Sequence, residues 1–218
     1  MMKTDKQLQQ DVTAELSWNP AINSAEIGVA VKDGVVTLSG QVGTYAEKIE
    51  AERAAVRVFG VKALAVEVDV HLAGQSTRTD SDIARSVENV LEWTTYLPNN
   101  AVKVMVENGI VTLSGNVHYQ YQRQAAVGAI CGLFGVKAVN DEIEITPAVS
   151  APIVKADIEA ALKRRARNEI NNISVTVKGH DVTLSGVAHS WSERELAAST
   201  AWASPGVHSV VDDITLVA

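Results

Sequence analysis

Val36-Thr37-Leu38-Ser39-Gly40 decides the fold, because the chain repeats it unchanged as Val111-Thr112-Leu113-Ser114-Gly115 and as Val182-Thr183-Leu184-Ser185-Gly186. Its glycines stand 75 and 71 residues apart, and a second glycine follows each after 20 residues, at Gly60, Gly135 and Gly206. Glycines in fixed register across three copies mark one structural unit used three times. Within the stretch, Val36 and Leu38 point one way along a strand and Thr37 and Ser39 the other, the period-2 pattern of a half-buried sheet. The glycine then releases the chain toward the next element.

Outward from this strand, each unit reads α-β-β-α-β. In the first, Leu8, Val12 and Leu16 recur at helical spacing. Trp18 follows, and Asn19-Pro20 ends the helix because the residue before proline is pushed out of the helical region. Ile27, Val29 and Val31 alternate as a strand, and Asp33-Gly34 supplies a hairpin turn. After Gly40, Thr44 and Glu47 form a capping box for a second helix. Gly60 suits the left-handed residue that closes it. Leu64, Val66, Val68 and Val70 alternate as the third strand.

The second unit repeats this order, with Ile83, Val87 and Leu91, then Trp93, then Val102, Val104 and Val106, then Asn108-Gly109. Its second helix has Tyr119 where Thr44 stood and Gln122 in place of Glu47, so its cap is poorer. In the third unit Val154, Ile158 and Leu162 form the helix stripe, and Ser190 with Glu193 restores the capping box. There Gly179-His180-Asp181 replaces the turn glycine of Gly34 and Gly109. The expected modules are residues 1–72, 81–146 and 153–218, joined by linkers 73–80 and 147–152. The fold class is α+β, with each module a three-stranded mixed sheet carrying two helices on one face. Strand order stays open.

Composition narrows the function classes. Hydrophobic content of 46% and charged content of 21% are those of a globular protein. A net charge of −7 argues against a nucleic-acid partner. No segment approaches the apolar length of a transmembrane span, and the polar start lacks a signal peptide's apolar run, which points to the cytoplasm; a leader removed beforehand would instead point to the periplasm.

Few residues invite chemistry. The Ser-Gly pairs are preceded by leucine, whereas a hydrolase elbow needs glycine on both sides of the serine. The five histidines, His71, His118, His180, His189 and His208, have no zinc spacing, so no metal and no cofactor is expected. Gly128 to Gly135 matches neither phosphate-loop spacing, and its small residues read as close packing, with Cys131 a buried apolar residue. Trp18 and Trp93 read as local core. Lys163, Arg164, Arg165 and Arg167, with Lys155 before them, end the third unit's first helix. That is a position the helix dipole favours for cations and equally a place to hold an anionic headgroup. Trp191, in the register of Tyr45, reads as an exposed contact.

Gly34, Val36, Leu38 and Gly40, with Gly109, Val111, Leu113 and Gly115, spell Gly-x-Val-x-Leu-x-Gly. Gly135, Val136 and Val139, with Gly206, Val207 and Val210, spell Gly-Val-x-x-Val. In these the chain resembles the BON domain family over nearly its whole length, and it departs at His180. The resemblance implies a non-enzymatic module of osmotic-stress proteins that contacts phospholipid or a protein partner. Some relatives that pair the domain with LysM bind potassium, which implies an ion sensor as an alternative. A self-assembling structural module is a third. The leading expectation is a multivalent, non-catalytic binding protein, its anion-contacting residues Lys155, Lys163, Arg164, Arg165, Arg167 and Trp191. The glycines at 34, 40, 60, 109, 115, 135, 186 and 206 are expected to serve the fold.

Overall fold

The alternation of Val36 and Leu38 with Thr37 and Ser39 becomes, in the computed structural model, the central strand of a three-stranded sheet, and its two repeats do the same. The structure describes residues 3–72, 74, 78–146, 155–165 and 172–217. Val154, Arg167, half of the first expected linker and all of the second lie outside them, as does the side chain of Arg165.

The first module comprises α1 (Asp5–Trp18), β1 (Ile27–Lys32), β2 (Val35–Val42), α2 (Tyr45–Arg57) and β3 (Ala63–Val70). The second comprises α3 (Asp80–Trp93), β4 (Val102–Glu107), β5 (Ile110–Val117), α4 (Gln120–Ile130) and β6 (Ala138–Ile145). The third comprises α5 (Lys155–Arg165), β7 (Ile173–Lys178), β8 (Asp181–Ala188), α6 (Trp191–Trp202) and β9 (Ser209–Leu216). The strand orders are β1-β2-β3, β4-β5-β6 and β7-β8-β9. β1 runs antiparallel to β2, with Val29 opposite Leu38, and β3 runs parallel to it, with Leu64 opposite Val36. These are mixed sheets, and the α2 crossover supplies the length that a parallel return needs. By compactness the chain forms two units, Met1–Gly115 with Ala125–Glu142, and Asn116–Gln124 with Ile143–Ala218.

One face of each sheet is dry. Val36 and Leu38 are fully buried with Leu8, Val12 and Leu16 of α1 and Ala51, Ala54 and Ala55 of α2. Val111 and Leu113, and Val182 and Leu184, hold the same place. The third core gathers Ile158, Leu162, Val175, Ala197 and Ala201 around them. Alanines on the second helix let it lie close to the strands.

The glycine of the repeated stretch does not end its strand, since β2 continues to Val42. It is glycine because the neighbouring backbone leaves no room. A Cβ on Gly40 would sit 2.1 Å from the Glu26 carbonyl oxygen, and on Gly115 2.1 Å from that of Ala101, with φ of +129° and +130°. Only glycine accepts both the contact and the angle.

Capping follows the expected residues. Thr44 Oγ1 accepts from the Glu47 amide at 3.1 Å, and Glu47 Oε2 accepts from Gly43 at 2.9 Å. Ser190 and Glu193 repeat this. At α4, Gln122 Oε1 takes the amides of His118 and Tyr119 at 2.8 and 3.1 Å, so the reaching-back half of the cap survives without the hydroxyl. One tie was not legible beforehand. The Asp5 carboxylate accepts from the turn amides of Asp33 and Gly34 at 2.8 and 3.1 Å. Asp80 holds Asn108 and Gly109 in the same way at 2.8 and 2.9 Å. The register puts Ala151 at that position in the third copy.

The third turn also changes type. Asp33 and Gly34, like Asn108 and Gly109, both have positive φ, the signature of a type I′ hairpin. In the third copy only Gly179 does. Glycine has moved to the first central position, so a non-glycine residue fits at the second, and His180 Nδ1 lies 2.9 Å from the Gly206 carbonyl oxygen.

Two packing expectations are corrected. Trp18 and Trp93 are not core: each is 85% exposed. Each falls two residues after the last stripe leucine, which turns it about 200° around the axis to the solvent side. Gly128 and Gly132 do not serve close packing, since a Cβ on either meets open space. Gly135 does, its Cβ position lying 2.8 Å from Ile83. Cys131 is half-buried; its Sγ donates to the Val127 carbonyl at 3.1 Å, and burial pushes the thiol pKa up.

Candidate functional site

Among the described residues no three His, Cys, Asp or Glu side chains cluster as a metal would require, and no helix is long and apolar enough to cross a membrane. What differs between the copies is the C-terminal end of each module's first helix. Counting from the shared glycines, Trp18, Trp93 and Arg164 occupy one register position. The first two copies present an exposed indole there and the third presents an exposed guanidinium.

The basic cluster divides between the two ends of α5. Lys163 and Arg164 are exposed at the end of α5. Arg165 closes the same helix. Lys155 lies at the opposite end of α5 and is tied to Glu159 at 3.5 Å. The helix dipole favours cations at the former end, where unpaired carbonyls concentrate negative potential. Two side chains therefore form the described part of the cluster, with Lys155 apart from them.

Trp191 stands at the start of α6 and is half-buried. The Arg194 guanidinium lies over its ring at 5.2 Å, and Arg194 Nε reaches Asp212 Oδ2 at 2.8 Å. The indole Nε1 is shielded and has no hydrogen-bond partner among the described residues. This tryptophan thus lies under Arg194 rather than standing free. In the same register Tyr45 is also half-buried; burial raises its pKa, and its hydroxyl meets the Val139 backbone within the first compact unit.

Two other exposed aromatics, Phe59 and Phe134, each have a cation over the ring. Lys3 lies 5.7 Å from the Phe59 ring and Arg78 5.6 Å from that of Phe134, in equivalent places. No ring contact of this kind involves Trp18 or Trp93 among the described residues. Tyr96, 63% exposed, follows Trp93 by three residues. A signal for the free tryptophans was present in the sequence, since neither continues its helix's four-residue stripe.

The BON domain profile matches residues 4–71, 79–147 and 150–218. Osmotically-inducible protein Y of Escherichia coli (strain K12) is 30% identical over 144 residues, which span 64% of this chain and 72% of that protein. Among solved structures, the C-terminal domain of CdsD, a structural protein of the type III secretion system of Chlamydia trachomatis, aligns over 99% of this chain and 100% of its own. Its identity is 14% and its TM-score 0.28. The periplasmic domain of the inner-membrane protein PrgH of S. typhimurium covers 88% of this chain and 99% of its own, at 15% identity and a TM-score of 0.23.

Proposed function

The chain belongs to the BON domain family, and from that premise we propose that it is a non-catalytic protein that docks on a phospholipid surface through the ends of its first helices. The observation that carries this reading is the pair Trp18 and Trp93, each 85% exposed at the same register position. An indole is amphipathic and settles where one end is apolar and the other wet, as at the headgroup level of a bilayer. Burying such a side chain gains about 1.5–3 kcal/mol. Two in one chain reinforce each other through tethering.

Lys163, Arg164, Arg165 and Arg167 supply the electrostatic part, each cation near an anionic surface adding about 1 kcal/mol. With a net charge of −7 the rest of the chain opposes that attraction. Insertion of the indoles therefore dominates, and binding should lose little to salt beyond the contribution of the third module. The similarity to an osmotically inducible protein supports a role under osmotic stress; transcript level after an osmotic upshift tests that role, and an unchanged level would remove it.

Flotation of the full chain with vesicles of phosphatidylcholine, alone and with phosphatidylglycerol, tests the docking. The expected result is recovery with both vesicle types, greater with the anionic lipid. Absence from both floating fractions would sink the lipid reading.

A further inference from the structure

Beside β4 the second module holds an open groove of about 820 Å³, lined by Glu88, Leu91 and Glu92 of α3, by Leu97, Pro98 and Ala101 of the following loop, and by Val102, Lys103 and Val104 of β4. β4 is an edge strand, paired on one side with β5. A two-residue type I′ turn makes the flanking residues, here Glu107 and Ile110, a hydrogen-bonded pair. Pairing then alternates along the strand. Lys103, Met105 and Glu107 spend their backbone groups on β5, while Val102, Val104 and Val106 point theirs out over the edge.

The first module shows how the same edge is closed. There Gln9 Nε2 donates to the outward carbonyl of Val29 at 2.7 Å. Ser17 Oγ meets Ser24 Oγ at 3.1 Å, bridging the helix to the turn before β1, and Ile22 is buried. Thr13 and Ser17 turn their hydroxyls back onto their own helix at 2.8 and 2.9 Å. In the second module the register replaces Gln9 by Ala84, Thr13 by Glu88, Ser17 by Glu92 and Ser24 by Asn99. The capping amide is lost, and among the described residues no side chain takes its place on Val104. Two carboxylates one helical turn apart, with no ion-pair partner among the described residues, now face the mouth. In the third module the mates of Ala84 and Glu88 are Lys155 and Glu159, which pair with each other.

We propose that the groove between β4 and α3 accepts an extended segment of another protein as an added strand, one that carries basic side chains. The Val102 and Val104 backbone groups would supply the ladder, and Glu88 and Glu92 would select the cations. Strand addition draws affinity from main-chain bonds and specificity from the side chains beside them. This site lies at the same end of α3 as Trp93 but does not use its indole, and Ala84→Gln leaves that indole in place, so either proposal can fail alone.

The test uses the isotopically labelled full chain and the capped pentapeptide acetyl-Lys-Val-Lys-Val-Lys-amide, with its glutamate counterpart as control. Amide exchange at Val102 and Val104 should slow on adding the lysine peptide and remain unchanged with the glutamate peptide. Ala84→Gln, which grafts the first module's cap, and Glu88→Lys with Glu92→Lys should each weaken the lysine peptide at least about tenfold. Flotation with lipid should be unchanged in Ala84→Gln. No slowing at Val102 and Val104, equal response to both peptides, or full affinity in Ala84→Gln would overturn the proposal. So would slowing that appears without peptide as protein concentration rises, since the occupant would then be a second copy of this chain.

Discussion

At the central strand the three copies are identical over five residues, and at the end of the first helix they are Trp18, Trp93 and Arg164. In the first region Val36 and Leu38 are buried, and Gly40 lies where a Cβ would meet the Glu26 carbonyl. The second is open to solvent. Identity therefore accompanies packing constraint, and divergence accompanies exposure. An exposed tryptophan contributes little to a fold, so its presence twice at one register calls for an external explanation, whereas the glycine of each strand is explained by its own module.

The largest effect expected from testing this contrast is at the strand. Gly115→Ala would push a Cβ into the Ala101 carbonyl at an angle that side chains rarely adopt, and should cost at least about 3 kcal/mol in denaturant unfolding. A loss under about 1 kcal/mol would show that the strand relaxes and that the glycine has another cause.

Next comes the tie from helix to turn. Asp80→Ala leaves the amides of Asn108 and Gly109 without their carboxylate acceptor, and should cost about 1–3 kcal/mol. The same measurement on Asp5→Ala should agree with it, because the geometry repeats. Unequal losses would break the equivalence of the first two copies.

A smaller effect of opposite sign is expected at Glu52. Burial raises its pKa above the ordinary glutamate value, with Lys48 and Arg53 opposing. The folded state therefore holds its proton more tightly than the unfolded chain does. That contribution favours the fold at low pH and is lost as pH rises through the elevated range. Glu52→Gln should raise the melting temperature slightly at neutral pH and leave it unchanged well below pH 4; a lowered value at neutral pH would contradict the burial argument.

The smallest change in stability is expected at the helix ends. Trp18→Ala and Trp93→Ala should each stay within about 0.5 kcal/mol of the parent, which a packed tryptophan would not allow.

Much of the fold was legible because the constraints were local. Alternation at Val36 and Leu38 gives a strand, Asp33-Gly34 a tight turn, and Thr44 with Glu47 a helix start, and each is settled within a few residues. Strand order, the clasp from Asp5 to the turn 28 residues away, and the Gln9 cap on Val29 depend on which elements meet, which no local pattern encodes. The site was less legible for a related reason. Charge runs catch the eye at Lys163 and Arg164, whereas the exposure of Trp18 depends on a helical angle that must be worked out, and the shielding of Trp191 depends on Arg194 and the partner Asp212 of another strand.

If the free indoles seat the chain on lipid, removing both must release it. Flotation of Trp18→Ala/Trp93→Ala beside the parent chain, on phosphatidylcholine vesicles containing phosphatidylglycerol, tests it most directly. The double variant should remain folded, with an unchanged circular dichroism spectrum, and its recovery with vesicles should fall at least about tenfold. Equal recovery of the two proteins would contradict it.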